Sequence, residues 1–176
     1  MRAALATTVL AIAVAVGATV PATAARAPSR RQIAHAVASA ERSHSLWATI
    51  NICNSRRYRY RIGVRGQMPS LGFPSVMAMT VTLNSWSTTE KRFIAIKSPN
   101  AVDRIALGTH RSGLEQDGTI FPFHKGESGR WNATIEFTWK MNGRIVGRTT
   151  RRTTAGHHNA DFASPPHYSA AQCRIG

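Results

Sequence analysis

Along most of this chain apolar and polar residues alternate with the two-residue period of a β-strand, and rarely with the 3.6-residue period of a helix. The clearest run is Trp131 to Lys140, where every odd position is apolar and every even position polar. That pattern predicts a half-buried antiparallel strand. Met141-Asn142-Gly143-Arg144 follows, and Asn-Gly between alternating runs is the strongest short hairpin signal. Ile145 to Thr154 therefore reads as the return strand. Leu46 to Cys53 alternates and is rich in strand formers, and Tyr58 to Gly66 reads as a second strand. After a Gly/Pro turn over Met68 to Pro74, Val76 to Trp86 is a third. Met77, Met79, Val81 and Leu83 lie on one of its faces, with Ala78, Thr80, Thr82 and Asn84 on the other. Arg92 to Lys97 is a short fourth. Residues 98–117 are poorly patterned, with Val102, Ile105 and Leu107 as candidate core contacts. Gly118 to His124 is a further strand that Pro122 pushes to an edge or bulge. Tyr168 to Ile175 closes the chain, with Ala171, Cys173 and Ile175 on one side.

Seven to eight short strands separated by Gly, Pro and Asn turns predict an all-β fold, an antiparallel β-sandwich over residues 46–176. Residues 25–45 are small, polar and basic, and read as a linker or short helix. Ile33, Ala36, Val37 and Ala40 share one face there, but offer little apolar bulk to bury.

The first 24 residues differ from everything after them. Arg2 precedes an uncharged apolar run from Ala3 to Val20, then Pro21 and Ala22-Thr23-Ala24. A charged start, an apolar middle and a small-residue exit predict a secretory signal peptide, residues 1–24. Nothing after Val20 predicts a transmembrane anchor. The mature protein is thus expected to be secreted, free or held at the cell surface. In an oxidising compartment Cys53 and Cys173, with no metal-type spacing, predict one disulfide between the first and last strands.

Charge narrows the partners. The chain has 23 Lys+Arg against 8 Asp+Glu, a formal net charge of +15. Such an excess attracts polyanions: acidic envelope polymers, anionic lipid or nucleic acid. Arg greatly outnumbers Lys and Ala is abundant, so a GC-rich coding sequence accounts for part of the basicity.

Several phrases together carry a likeness to known proteins. They are Leu46-Trp47-Ala48-Thr49-Ile50-Asn51-Ile52-Cys53, Ile62-Gly63-Val64-Arg65-Gly66-Gln67-Met68-Pro69, Phe137-Thr138-Trp139, Thr154-Ala155-Gly156-His157 and Tyr168-Ser169-Ala170-Ala171-Gln172-Cys173-Arg174-Ile175. In these the chain resembles a group of small exported proteins of high-GC Gram-positive bacteria with Ig-like β-sandwich domains. The resemblance implies that fold and compartment, and it carries no activity and no functional residue.

Candidate chemistry is sparse. Gly126-Glu127-Ser128-Gly129 echoes the nucleophile phrase of trypsin-like proteases, but no phrase supplies the general base, and a tight turn explains it. His157, His158 and Asp161 are the candidates for a metal-dependent hydrolase, although adjacent histidines diverge in an extended chain and no HExxH-type spacing is present. Met77 and Met79 share a strand face, as Cu(I) ligands would, yet Val81 and Leu83 continue the same core stripe. Asn132-Ala133-Thr134 is a formal glycosylation sequon and is read as incidental. No cofactor motif is present.

The strongest functional candidate is Arg56-Arg57-Tyr58-Arg59-Tyr60-Arg61. As a strand it sets Arg57, Arg59 and Arg61 on one face and Tyr58 and Tyr60 on the other. Guanidiniums pair with phosphates or carboxylates, and aromatic rings offer stacking surfaces. Arg148, Arg151 and Arg152 form a second cluster, and a positive stripe results if the two sheets bring it together with the first. The expected function is a secreted, non-enzymatic binding module meeting an anionic envelope polymer or a protein partner. An exported metal-dependent hydrolase and an extracellular nucleic-acid binder are the alternatives.

Overall fold

The computed structural model describes residues 27–176. The proposed signal peptide lies outside the described residues. Nine strands form two antiparallel sheets packed face to face, the all-β sandwich that the alternation predicts. The small sheet has β1 (Trp47–Cys53), β2 (Arg61–Pro69) and β6 (Leu114–Pro122), in the order β1-β2-β6. The large sheet has six strands. At its centre β3 (Ser75–Ser87) pairs with β7 (Gly129–Met141). The far edge of β3 is shared by β4 (Arg92–Ala95) and β5 (Val102–His110), and that of β7 by β8 (Arg144–Arg152) and β9 (Cys173–Ile175).

The alternation is used as the pleat requires. Met77, Met79, Val81 and Leu83 of β3 face Ala133, Ile135, Phe137 and Trp139 of β7 in register, and all are buried against Ile50, Ile62, Val64 and Met68 of the small sheet. The two methionines are therefore core residues. Asn142 and Gly143, both at positive φ, turn β7 into β8 as the Asn-Gly signal predicts. Pro122 ends the edge strand β6. A 2.01 Å bond joins Cys53 at the end of β1 to Cys173 in β9, so the expected disulfide links the first and last strands and, with them, the two sheets.

Three expectations are refined. Of the linker or short helix read over residues 25–45, the described residues hold the helix, the 13-residue α1 (Arg30–Arg42). Ser29 and Gln32 make a reciprocal capping box, and Val37 and Ala40 are buried. The helix gains contact through close approach rather than bulk: a Cβ on Gly147 of β8 would lie 2.7 Å from Val37 Cγ1. Next, the weakly patterned stretch 98–117 holds β5 and the start of β6. These are edge strands, which bury less and alternate less.

Third, Tyr58 does not begin β2. Residues 54–60 form a loop in which the Tyr60 N–H donates to Asn54 Oδ1 (2.8 Å) and the Tyr58 N–H to Ser55 O (3.0 Å). Asn54 and Tyr60 sit at φ 42° and 54°. Short polar side chains bonded to nearby backbone outcompete the ladder here.

The segment 153–172 folds over the outer face of the small sheet. Ile50 and Ala170 exchange backbone bonds, the Thr49 hydroxyl donates to Thr154 O at 2.7 Å, and the Asn51 amide donates to Asp161 O at 2.8 Å. One sandwich face is thereby clothed. Among the described residues no segment folds over the outer face of the large sheet in the same way.

Candidate functional site

The open face is assembled by register. Residues that leave the core on β3 and β7 align in rows with outward residues of the flanking strands. One row runs Arg104, Thr80, Glu136, Thr150; the next runs Ala106, Ala78, Thr138, Arg148; Lys140 lies beside Ile145 and Val76 at one end. Neighbouring strands are about 4.8 Å apart, and a 13-residue strand spans roughly 43 Å, so this is a long surface. Its floor is small or hydroxylated: Ala78, Thr80, Thr82, Thr134 and Thr138. Arg104 stands at one rim and Arg148 and Arg152 at the other, all exposed.

Between the rims is a shallow trough of about 330 Å³ lined by Ala78, Thr80, Arg104, Thr138, Lys140 and Arg148. Glu136 is the one carboxylate among these outward rows. Its Oε1 is 3.5 Å from Arg148 Nε, and both side chains are substantially exposed, so the pair neutralises little of the surrounding charge.

At the opposite end of the face the chemistry becomes aromatic. Trp86 of β3 and Phe93 of β4 pack edge to face, with centroids 5.2 Å apart. The Arg130 guanidinium lies over both rings, 4.5 Å from the Trp86 centroid and 5.9 Å from that of Phe93. Its Nη2 donates to Gln172 Oε1 at 3.0 Å. Arg174 on β9 pairs with Arg130 in register, and the cleft beside them is about 450 Å³. Here the aromatic faces position a cation. Buried Asn84 and Asn132 lie between the two ends, joined by an Nδ2–Oδ1 bond of 2.8 Å. That burial withdraws the sequon asparagine from the surface.

The arginines singled out in the sequence fall in three places. Arg56, Arg57 and Arg59 are exposed on the β1–β2 loop, and Arg61, also exposed, begins β2 in the small sheet. Tyr58 packs under Arg57, whose Cζ is 5.6 Å from the ring centroid, and Tyr60 packs against the core. They form no strand stripe. Arg148 and Arg152 belong to the open face, whereas Arg151 points the other way and donates to the Glu41 carbonyl at the end of α1. Arg104, Lys140, Arg130 and Arg174 were missed by sequence reasoning. They are single charges in separate strands, and only register brings them together.

The proposed metal residues are otherwise engaged. His157 stacks on Trp47 at 4.6 Å and 11°, and its Nε2 lies 2.9 Å from Thr154 Oγ1. Burial first, and the neighbouring His158 second, hold its pKa below the ordinary histidine value. His158 and His167 each bond the other's backbone carbonyl through Nδ1, at 2.8 and 3.1 Å. Asp161 is exposed, its N–H donating to Gln116 Oε1. Among the described residues no three His, Cys, Asp or Glu side chains converge as a metal site would need. The Gly126–Gly129 phrase forms the turn before β7, where the His124 N–H donates to Glu127 Oε2. No helix among the described residues is long and apolar enough to cross a membrane.

No protein-family model matches the sequence. No curated protein matches it either. Solved structures give partial, distant likenesses. A glycosyl hydrolase family 2 member from Bacteroides cellulosilyticus aligns with 64% of this chain and 15% of its own, at 6% identity and a TM-score of 0.34. An alkylpurine DNA glycosylase from Pseudomonas fluorescens, bound to DNA containing an abasic-site analogue, aligns with 62% of this chain and 29% of its own, at 15% identity and a TM-score of 0.32. The chain thus spans less than a third of either protein.

Proposed function

We propose that this chain is a secreted, non-enzymatic binding module that holds a linear anionic polymer of the cell envelope along the open face of its large sheet. The supporting observation is the layout of charge: Arg104, Lys140, Arg148, Arg152, Arg130 and Arg174 on outward positions, with Glu136 the only carboxylate among them. A floor of small residues admits an extended polymer, and guanidiniums at both rims bind phosphate or carboxylate oxygens in charge-assisted pairs. Export rests on the N-terminal apolar run and its small-residue exit. The β1–β2 loop arginines add to long-range attraction, which salt screens beyond about 8 Å.

Sedimentation with purified Gram-positive cell walls across a salt series tests the reading, with DNA and anionic vesicles as comparators. Lys140→Ala/Arg148→Ala is expected to weaken wall binding about tenfold, equivalent to about 1.4 kcal/mol. Glu136→Gln is expected to strengthen it, because the repelling carboxylate is gone. Arg56→Ala/Arg57→Ala/Arg59→Ala should change it less than the face variant; the reverse ranking would move the site to the loop. Weak, salt-erased binding to every polyanion, alike in all variants, would sink the proposal.

A further inference from the structure

At the aromatic end of the large-sheet face one outward row crosses four strands: Phe93 on β4, Trp86 on β3, Arg130 on β7 and Arg174 on β9. Two rings are followed by two cations. Arg130 and Arg174 stand directly opposite each other in the β7–β9 ladder. Side chains so placed start about 4.5–5.5 Å apart at Cβ, and like charges there are destabilising. Both arginines line the same two clefts, of about 450 and 380 Å³, and Thr88, Ser128 and Gly176 also line the larger.

Nothing in the fold compensates the two cations. Among the described residues neither makes an ion pair with a carboxylate, that of Gly176 included. By contrast Arg65, Arg92 and Arg148 pair with Asp117, Glu90 and Glu136. Glu127, the acid nearest Arg130 in sequence, accepts the His124 N–H. Arg130 is nonetheless held in place. Its guanidinium lies 4.5 Å from the Trp86 centroid, and its Nη2 donates to Gln172 Oε1 at 3.0 Å. That bond uses one of the several donors of the fork. Arg174 stands exposed beside it. A guanidinium fixed by aromatic rings against a like-charged neighbour is one preorganised half of an anion clamp.

We propose that Arg130 and Arg174 clamp a phosphate monoester, with the Ser128 and Thr88 hydroxyls lining the cleft as further donors. A carboxylate or a phosphodiester carries a single charge, which one guanidinium fork satisfies. A monoester carries about −1.5 to −2 and three strong acceptor oxygens, enough to engage both forks and to cancel their mutual repulsion. The proposal rests on the reading of this face as a polyanion binder, and it gives the Trp86 end a role of its own. The ester is either the end group of such a polymer or a free small molecule, since the two share this chemistry.

The test is an NMR titration of the mature, disulfide-bonded protein with methyl phosphate, dimethyl phosphate and acetate. Methyl phosphate is expected to give saturable shifts centred on the amides of Ser128, Gly129, Arg130 and Arg174, and to bind about tenfold tighter than either other ion. Its affinity should fall by up to about tenfold between about pH 7.5 and about pH 5, because the ester takes up its second proton at about pH 6. Acidification can only make the protein more positive, so that loss reports the ester's own proton. Arg174→Ala should weaken binding about tenfold. Arg174→Lys, which keeps the charge without the fork, should recover only part of it. Arg56→Ala/Arg57→Ala/Arg59→Ala removes positive charge elsewhere and should bind the ester like the parent. Absence of saturable shifts, equal affinity for the diester, or equal weakening in the loop variant would overturn the proposal. Phosphomonoesterase treatment of the cell walls separates the two sources. Weaker wall binding that no longer depends on Arg174 marks the polymer's end group, and unchanged binding marks a free ester. The titration uses the ester alone, so its failure leaves wall sedimentation to decide the polymer reading separately.

Discussion

His157 shows at the residue scale why a histidine motif was misleading. In sequence it stands beside His158 and near Asp161, as a ligand would, but Trp47, about 110 positions away, claims its ring. Nothing local to residue 157 encodes that partner. The stack has a pH consequence. The folded state binds the His157 proton less readily than the unfolded chain, because burial and the charge of His158 oppose protonation. Stability therefore rises with pH across this titration, and falls as pH drops below about 6.5, the unfolded value, until the lower folded pKa is passed. Thermal unfolding of the parent and of His157→Phe, compared between about pH 7.5 and pH 5, isolates this group. The parent is expected to lose more stability on acidification, since phenylalanine keeps the stack without a proton to bind. Parallel curves would show that His157 does not carry the effect.

At the scale of elements, legibility followed locality. The β7–β8 hairpin was readable because its alternation and Asn-Gly turn are contiguous. Arg57 to Arg61 also alternated, but Asn54 and Ser55 bond the backbone of Tyr60 and Tyr58 and hold residues 54–60 as a loop. Helix α1 was underrated for a complementary reason. Its face of Ile33, Ala36, Val37 and Ala40 is slight, and its value depends on Gly147 lying opposite. Gly147→Ala tests that fit. The new methyl meets Val37 Cγ1 at 2.7 Å and Trp139 Cε3 at 3.2 Å, so overpacking should cost about 1–3 kcal/mol by chemical denaturation. Adding Val37→Ala should restore part of the loss by making room. A destabilisation unchanged by the second substitution would place its origin in β8, outside the helix contact.

For the whole molecule, alternation disclosed the sandwich but not the membership of its sheets. A period of two says that a residue faces out, and it is silent on which strands are neighbours. The open cationic face, built from β5, β3, β7, β8 and β9, was therefore hidden although each of its arginines was in view. The cysteines were legible because export and an even count suffice. Their bond separates stability from function in a testable way. It closes a 120-residue separation across the two sheets, and in the chain-entropy model that restricts the unfolded chain by about 5 kcal/mol. Against a typical stability of about 5–15 kcal/mol, Cys53→Ala/Cys173→Ala should show a large loss in urea. The central rows of the open face, however, lie wholly on strands of one sheet, with Arg104, Lys140 and Arg148 far in sequence from either cysteine. Below its unfolding transition the variant should still bind cell walls through those residues. Wall binding lost from a demonstrably folded variant would mean that the β9 end, with Arg174 and Arg130, dominates recognition rather than the trough between the rims.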